Sequence, residues 1–154
     1  MNILDRIQIK SSVDVAQIVV RLEKEFAIKA TDENQKFIYW ALFDTQSMIF
    51  NITHRNRIIS EMESLWVRMT KDYWYLCGND KKILNQTEET KNNSMDNSSK
   101  VESISVGDAV VKFADNNNVT IDNITYKTGT IEFADEVLKK RYSSELYRFR
   151  KMRW

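Results

Sequence analysis

Proline is absent from this 154-residue chain, and glycine occurs only at Gly78, Gly107 and Gly129. Their scarcity excludes a proline-rich spacer and a glycine-rich phosphate loop, because such a loop needs clustered glycines to bring its amides close to an anion. Each glycine instead marks a boundary. The single cysteine, Cys77, excludes a disulfide framework and a cysteine metal cluster within the chain, and argues against an oxidising compartment. A lone histidine, His54, stands beside Arg55 and Arg57 without a convergent partner for acid–base chemistry, so it reads as a surface residue. No apolar run approaches the roughly twenty residues of a membrane span, and the opening MNILDRIQIK lacks the apolar core of a leader. The expectation is a cytosolic or assembly-borne protein without membrane contact.

Chemistry-bearing clusters are equally scarce. Cys77, between Leu76 and Gly78, reads as a small core residue rather than a nucleophile, and Glu88-Glu89 as a solvated pair. No ligands gather at metal-binding spacing. The chain is therefore expected to be non-enzymatic, with no metal and no cofactor.

What is present is helical periodicity. Val15, Ile18, Val19, Leu22 and Phe26 recur at helical spacing, with Ser11 and Ser12 as candidate caps and Asp14 suited to the positive end of the dipole; this predicts a helix over Val13 to Ile28. A short apolar patch, Ile3, Leu4 and Ile7, precedes it. After Thr31-Asp32-Glu33 the series Phe37, Ile38, Ala41, Leu42, Thr45, Met48, Ile49 and Ile52 holds the same period for four turns. Tyr39, Trp40, Phe43 and Phe50 make its other flank apolar too, so this helix is either central to a bundle or touches a second subunit. A third helix is expected from about Arg57 to Cys77, ended by Gly78 as a left-handed cap.

The period then changes. Residues 79–100 are polar and rich in Asn, Ser, Thr and Lys, a composition that cannot bury enough to fix itself, and read as a linker. Val101 to Phe113 alternates around Gly107-Asp108 as a tight hairpin, and Val119-Thr120-Ile121 with Ile124-Thr125-Tyr126 forms a second candidate strand pair around Asp122-Asn123. Beyond Gly129 the helical pattern returns through Ile131, Phe133, Val137, Leu138, Tyr142 and Leu146. The fold class is thus mainly α: an N-terminal helical bundle of about three helices (1–78), a polar linker (79–100), a β-hairpin region (101–130), a C-terminal helix (131–146) and an extended arm (147–154).

That arm closes a stretch, KKRYSSELYRFRKMRW, with seven basic residues and one acidic. Residues 1–138 hold 16 basic against 21 acidic, so a body of net charge −5 carries a cationic tail. Arg148, Phe149, Arg150, Lys151, Met152, Arg153 and Trp154 interleave cations with large apolar groups, the residue types of buried interface anchors. Two readings stand beside a partner protein: the segment folds back on its own domain with its Arg stems covering apolar surface, or it stacks on bases and pairs with phosphates as a small nucleic-acid accessory protein.

Two stretches, Ser103-Ile104-Ser105-Val106-Gly107-Asp108-Ala109-Val110-Val111-Lys112-Phe113 and Val137-Leu138 through Tyr142 to Leu146-Tyr147-Arg148-Phe149-Arg150-Lys151-Met152-Arg153-Trp154, together resemble the head-to-tail connector (adaptor) proteins of tailed bacteriophages. The likeness runs from about Val101 to the end. It implies a ring, commonly dodecameric, docked beneath the portal protein in the virion neck after assembly in the host cytoplasm. Leu146, Tyr147, Arg148, Phe149, Arg150, Lys151, Met152, Arg153 and Trp154 would then bind the portal. Trp40, Phe43, Val106, Gly107 and Asp108 would meet neighbouring copies or the next neck or tail connector, while DNA passes through the channel.

Overall fold

The computed structural model describes residues 1–28, 32–80, 103–106, 109–114 and 118–152. The architecture is mainly helical, with a small antiparallel sheet and a long C-terminal helix. The chain divides into two compact units, Met1–Trp74 with Tyr142–Trp154, and Tyr75–Arg141.

In the first unit the apolar patch at the start is a complete helix, α1 (Ile3–Ile9), closed by a capping box in which the Asn2 side chain accepts from the Leu4 amide and the Asp5 carboxylate accepts from the Asn2 amide. Helix α2 (Val15–Glu25) buries Val15, Ile18, Val19 and Leu22 as the period requires. Its cap is Asp14, whose carboxylate accepts from the amides of Ala16 and Gln17 at 3.0 and 3.4 Å, and not Ser11 or Ser12. Ser11 is buried with its hydroxyl turned onto the Val13 backbone, a local bond that competes with capping. Gln8 closes the same turn, donating to Val13 O at 2.9 Å and accepting from the Val15 amide at 2.8 Å.

Helix α3 (Asp32–Thr53) presents Ile38, Ala41, Leu42, Thr45, Met48 and Ile49 inward, all at 5% exposure or less. A 3₁₀ turn (Ser60–Met62) leads into α4 (Glu63–Leu76), so the third expected helix begins later than Arg57. The cause lies in the backbone of Ile58, which donates to Lys10 O at 2.9 Å and accepts from the Ser12 amide at 2.8 Å, making a parallel bridge with Ser11. Ile58 is fully buried, as its place in the apolar pattern requires, but through this extended bridge.

Between α3 and α4 lies a polar cluster inside apolar surroundings. Trp66, fully buried, donates from Nε1 to Leu42 O at 3.2 Å and to Thr45 Oγ1 at 3.1 Å, and the hydroxyls of Thr45 and Thr70 are 2.9 Å apart. Phe26 stacks on Trp74 with ring centroids 4.3 Å apart. Among the described residues no buried side-chain nitrogen or oxygen lacks a partner, the condition under which a polar core does not destabilise.

The second unit holds a four-stranded antiparallel meander, β1 (Ser103–Val106), β2 (Ala109–Ala114), β3 (Asn118–Ile121) and β4 (Ile124–Lys127), in sequential order. Both expected strand pairs join one sheet, with Val106 opposite Ala109 and Ile121 opposite Ile124. Asp122 and Asn123 take φ of 49° and 67°, the left-handed pair that a two-residue hairpin demands and that these residue types tolerate. Val119 and Ile121 pack against Phe133 and Val137 of α5 (Ile131–Arg148), with Leu76 and Tyr126 alongside, and Lys140 pairs with Asp122. The Thr130 hydroxyl caps α5 by accepting from the Phe133 amide. Of the linker expected over 79–100, residues 81–100 lie outside the described residues, as do Gly107 and Asp108.

Candidate interaction surface

The surface is assembled around the last turn of α5. Tyr142 is buried and its hydroxyl donates to the Asp72 carboxylate, while Arg68 lies over the Tyr142 ring, 5.8 Å from its centroid. Arg68 also forks onto Glu145, with bonds of 3.2 and 2.6 Å to the two carboxylate oxygens. This bidentate bond, opposed by partial burial, holds the Glu145 carboxyl below its ordinary range and raises Arg68 further. Leu146 comes next, fully buried. It belongs to the core of the unit, which corrects its assignment to a portal-binding arm.

The helix runs on through Arg148 rather than ending near Leu146, and the residues beyond it are tied down rather than extended. His54, at φ 55°, turns the chain out of α3 and leaves the carbonyls of its last turn without helical partners. The Lys151 amide donates to one of these, Thr53 O, at 2.8 Å. Arg55 Nε donates to Phe149 O at 2.6 Å, and an Arg150 guanidinium nitrogen sits 3.0 Å from His54 Nε2. A guanidinium can only donate, so in this contact Nε2 is the acceptor. The reading in which the segment folds back on its own domain therefore describes Phe149 to Lys151.

The fold-back leaves much of the segment open. Tyr147 is 58% exposed and Met152 72%, Arg148, Arg150 and Lys151 are exposed, and Phe149 is half-buried. Arg150 also lies over the Tyr147 ring, 5.7 Å from its centroid. Among the described residues, no ion pair with a carboxylate engages Arg148, Arg150 or Lys151. Arg153 and Trp154 lie outside the described residues.

Beside the tail opens a cleft of about 570 Å³ lined by Phe50, Asn51, His54, Arg55, Asn56, Arg57, Ile59 and Lys151. Three lining side chains are cationic and none of the eight is acidic. Arg57 reaches Ser11 O at 3.2 Å with one nitrogen, and Asn51, Asn56 and Arg57 are exposed. Most of this wall was missed in the sequence, where Arg55 and Arg57 registered only as neighbours of an unremarkable histidine. The signal available was the run Asn51, His54, Arg55, Asn56, Arg57 at a helix junction, but the tail that completes it is more than ninety positions away in the chain.

Elsewhere, Trp40 is 56% exposed and meets Phe43 edge to face at 6.0 Å, while Arg6 covers the half-buried Phe43 ring at 5.6 Å. Trp40 and Phe43 do not join the tail surface. Val106 stands at the end of β1. Among the described residues there is no group of three His, Cys, Asp or Glu able to hold a metal ion, and no helix long and apolar enough to cross a membrane. Comparisons with protein-family models, with curated proteins and with solved structures find no match.

Proposed function

We propose that this chain is a non-enzymatic structural connector of the tailed-bacteriophage neck, a ring-forming subunit that docks on the portal protein through its C-terminal segment. The observation that supports this reading is the tail itself. It is braced at Phe149 and Lys151 by hydrogen bonds to their backbone, yet it exposes Tyr147, Met152 and three cations, Arg148, Arg150 and Lys151, that form no close ion pair among the described residues. A braced segment loses less conformational freedom on binding than a free one, and arginine with aromatic side chains makes effective anchors.

In this reading Trp40 and Phe43 lie toward neighbouring copies, and head-to-tail contacts close into a ring when the rotation permits. Repetition around the ring turns a modest anchor into firm attachment through effective concentration. The sheet unit, including Val106, Gly107 and Asp108, meets the next neck or tail connector, and the acidic body lets the duplex slide through the channel without adhering. The protein acts in the virion neck after assembly in the host cytoplasm.

The test is the mass in solution of the full chain and of a chain ending at Tyr147, each alone and mixed with the portal protein. The full chain is expected to join the portal as a ring and the shortened chain to remain apart. Failure of both to bind, with the full chain retarding single-stranded DNA in a salt-sensitive manner, would replace this reading with the nucleic-acid one.

A further inference from the structure

The cleft beside the tail is a second half of the docking surface, and its chemistry specifies what it takes. We infer that the cleft lined by Asn51, Arg55, Asn56, Arg57 and Lys151 binds a carboxylate-bearing segment of the partner protein, so that the partner is held by the α3–α4 junction together with the tail. This rests on the docking role proposed for the tail and extends it to residues far away in the chain.

The donor set is the first argument. Arg55 and Arg57 each commit one nitrogen to a backbone carbonyl, Phe149 O and Ser11 O, which fixes their stems and leaves further guanidinium N–H groups available. A held guanidinium meets a carboxylate with two parallel bonds at lower entropic cost than a free one. Lys151 adds a compact charge from the tail, and the exposed amides of Asn51 and Asn56 can donate to the second carboxylate oxygen or to the backbone that carries it. With His54 already accepting from Arg150, the charged groups of the wall are all positive and all donors.

The second argument separates a protein from a nucleic acid. A nucleic-acid track needs cations spaced along a groove, each neutralising successive phosphates. Here Arg55, Arg57 and Lys151 converge on the wall of one cleft. A single acidic side chain on a protein surface meets only the patch. Apolar groups lie in and around it as well: Phe50 and Ile59 in the wall, and Tyr147 reached through the Arg150–His54 contact. Apolar anchors beside forked donors form the mixed surface typical of protein interfaces.

Two of the decisive substitutions put a carboxylate where the ligand's would sit, and a third takes away a cation. Asn56→Glu and Asn51→Glu change exposed residues that form no core, and Arg57→Gln removes a charge while keeping a donor toward Ser11 O. Each full-length variant would be checked for an unchanged thermal melt, then titrated with a short fluorescent peptide of Glu and Leu and, separately, with a single-stranded oligothymidylate, at physiological ionic strength. The full chain is expected to bind the peptide, each variant to weaken it by about tenfold or more, and the oligothymidylate to compete poorly. Equal peptide binding by well-folded variants and wild type would overturn the inference, as would displacement of the peptide by oligothymidylate. Measured against the portal protein, the two proposals part. Variants that still join the portal at full strength would sink the cleft's role and leave the connector reading intact, whereas cleft-dependent peptide binding without any portal association would sink the connector reading and leave the ligand class standing.

Discussion

Two polar regions of the first unit use their hydrogen-bond donors in opposite ways. Between α3 and α4, Trp66, Thr45 and Thr70 answer one another and the nearby carbonyls of Leu42, Ala41 and Trp66, and nothing is left over. At the α3–α4 junction, Arg55, Arg57 and Lys151 gather like charges in a cleft with no acidic residue in its wall. The first arrangement is complete within the chain; the second leaves charged donors open to solvent. The lesson is that hydrogen-bond satisfaction, more than residue type, separates groups that hold the fold from groups that remain open at its surface.

The sharpest way to break the comparison is at its buried pole. Trp66→Ala removes a fully buried ring together with a donor that serves two acceptors, and is expected to cost about 3–5 kcal/mol in denaturant unfolding, a large part of a domain's stability. Thr45→Val keeps the shape and removes the oxygen that Trp66 Nε1 and the Thr70 hydroxyl both approach; about 1–3 kcal/mol should be lost, and a loss near zero would mean that the cluster is dispensable packing.

A smaller effect lies at the surface. The Glu145 carboxyl is held below its ordinary range by the fork from Arg68, so its contribution is fully present above that range and disappears as the pH falls through the depressed value. Both side chains are substantially exposed, at 38% and 50%, which limits the contribution to less than about 1 kcal/mol. Glu145→Gln should therefore lower the melting temperature slightly at neutral pH and not at all in acid, where wild type and variant converge. A difference that persisted in acid would show that shape rather than charge carries the contact.

Much of the framework was legible because it is periodic. The inward face of α2, the long repeat of α3 and the termination near Gly78, at φ 66°, follow from spacing and from one residue's conformational freedom. The strand pairs were legible from alternation and from Asp122-Asn123. The misreadings are all non-local. Ser11 looked like a cap until a bridge to Ile58, 47 positions on, drew it into the interior and handed capping to Asp14. The same bridge holds residues 57–59 out of the helix that their apolar pattern suggested. The tail's composition was visible, but its attachment was not, because Thr53, His54 and Arg55 carry no local mark of a segment arriving from the far end of the chain.

That attachment has a kinetic consequence. The amide of an exposed residue outside helix and sheet would ordinarily exchange with solvent deuterium almost at the rate of an unstructured peptide, but the Lys151 amide is engaged by Thr53 O. Its exchange rate therefore counts how often the tail lets go. One proton becomes an internal clock for the release step, readable in the intact protein without an attached probe. It would slow when a partner clamps the tail in place and quicken when a partner pulls the tail away.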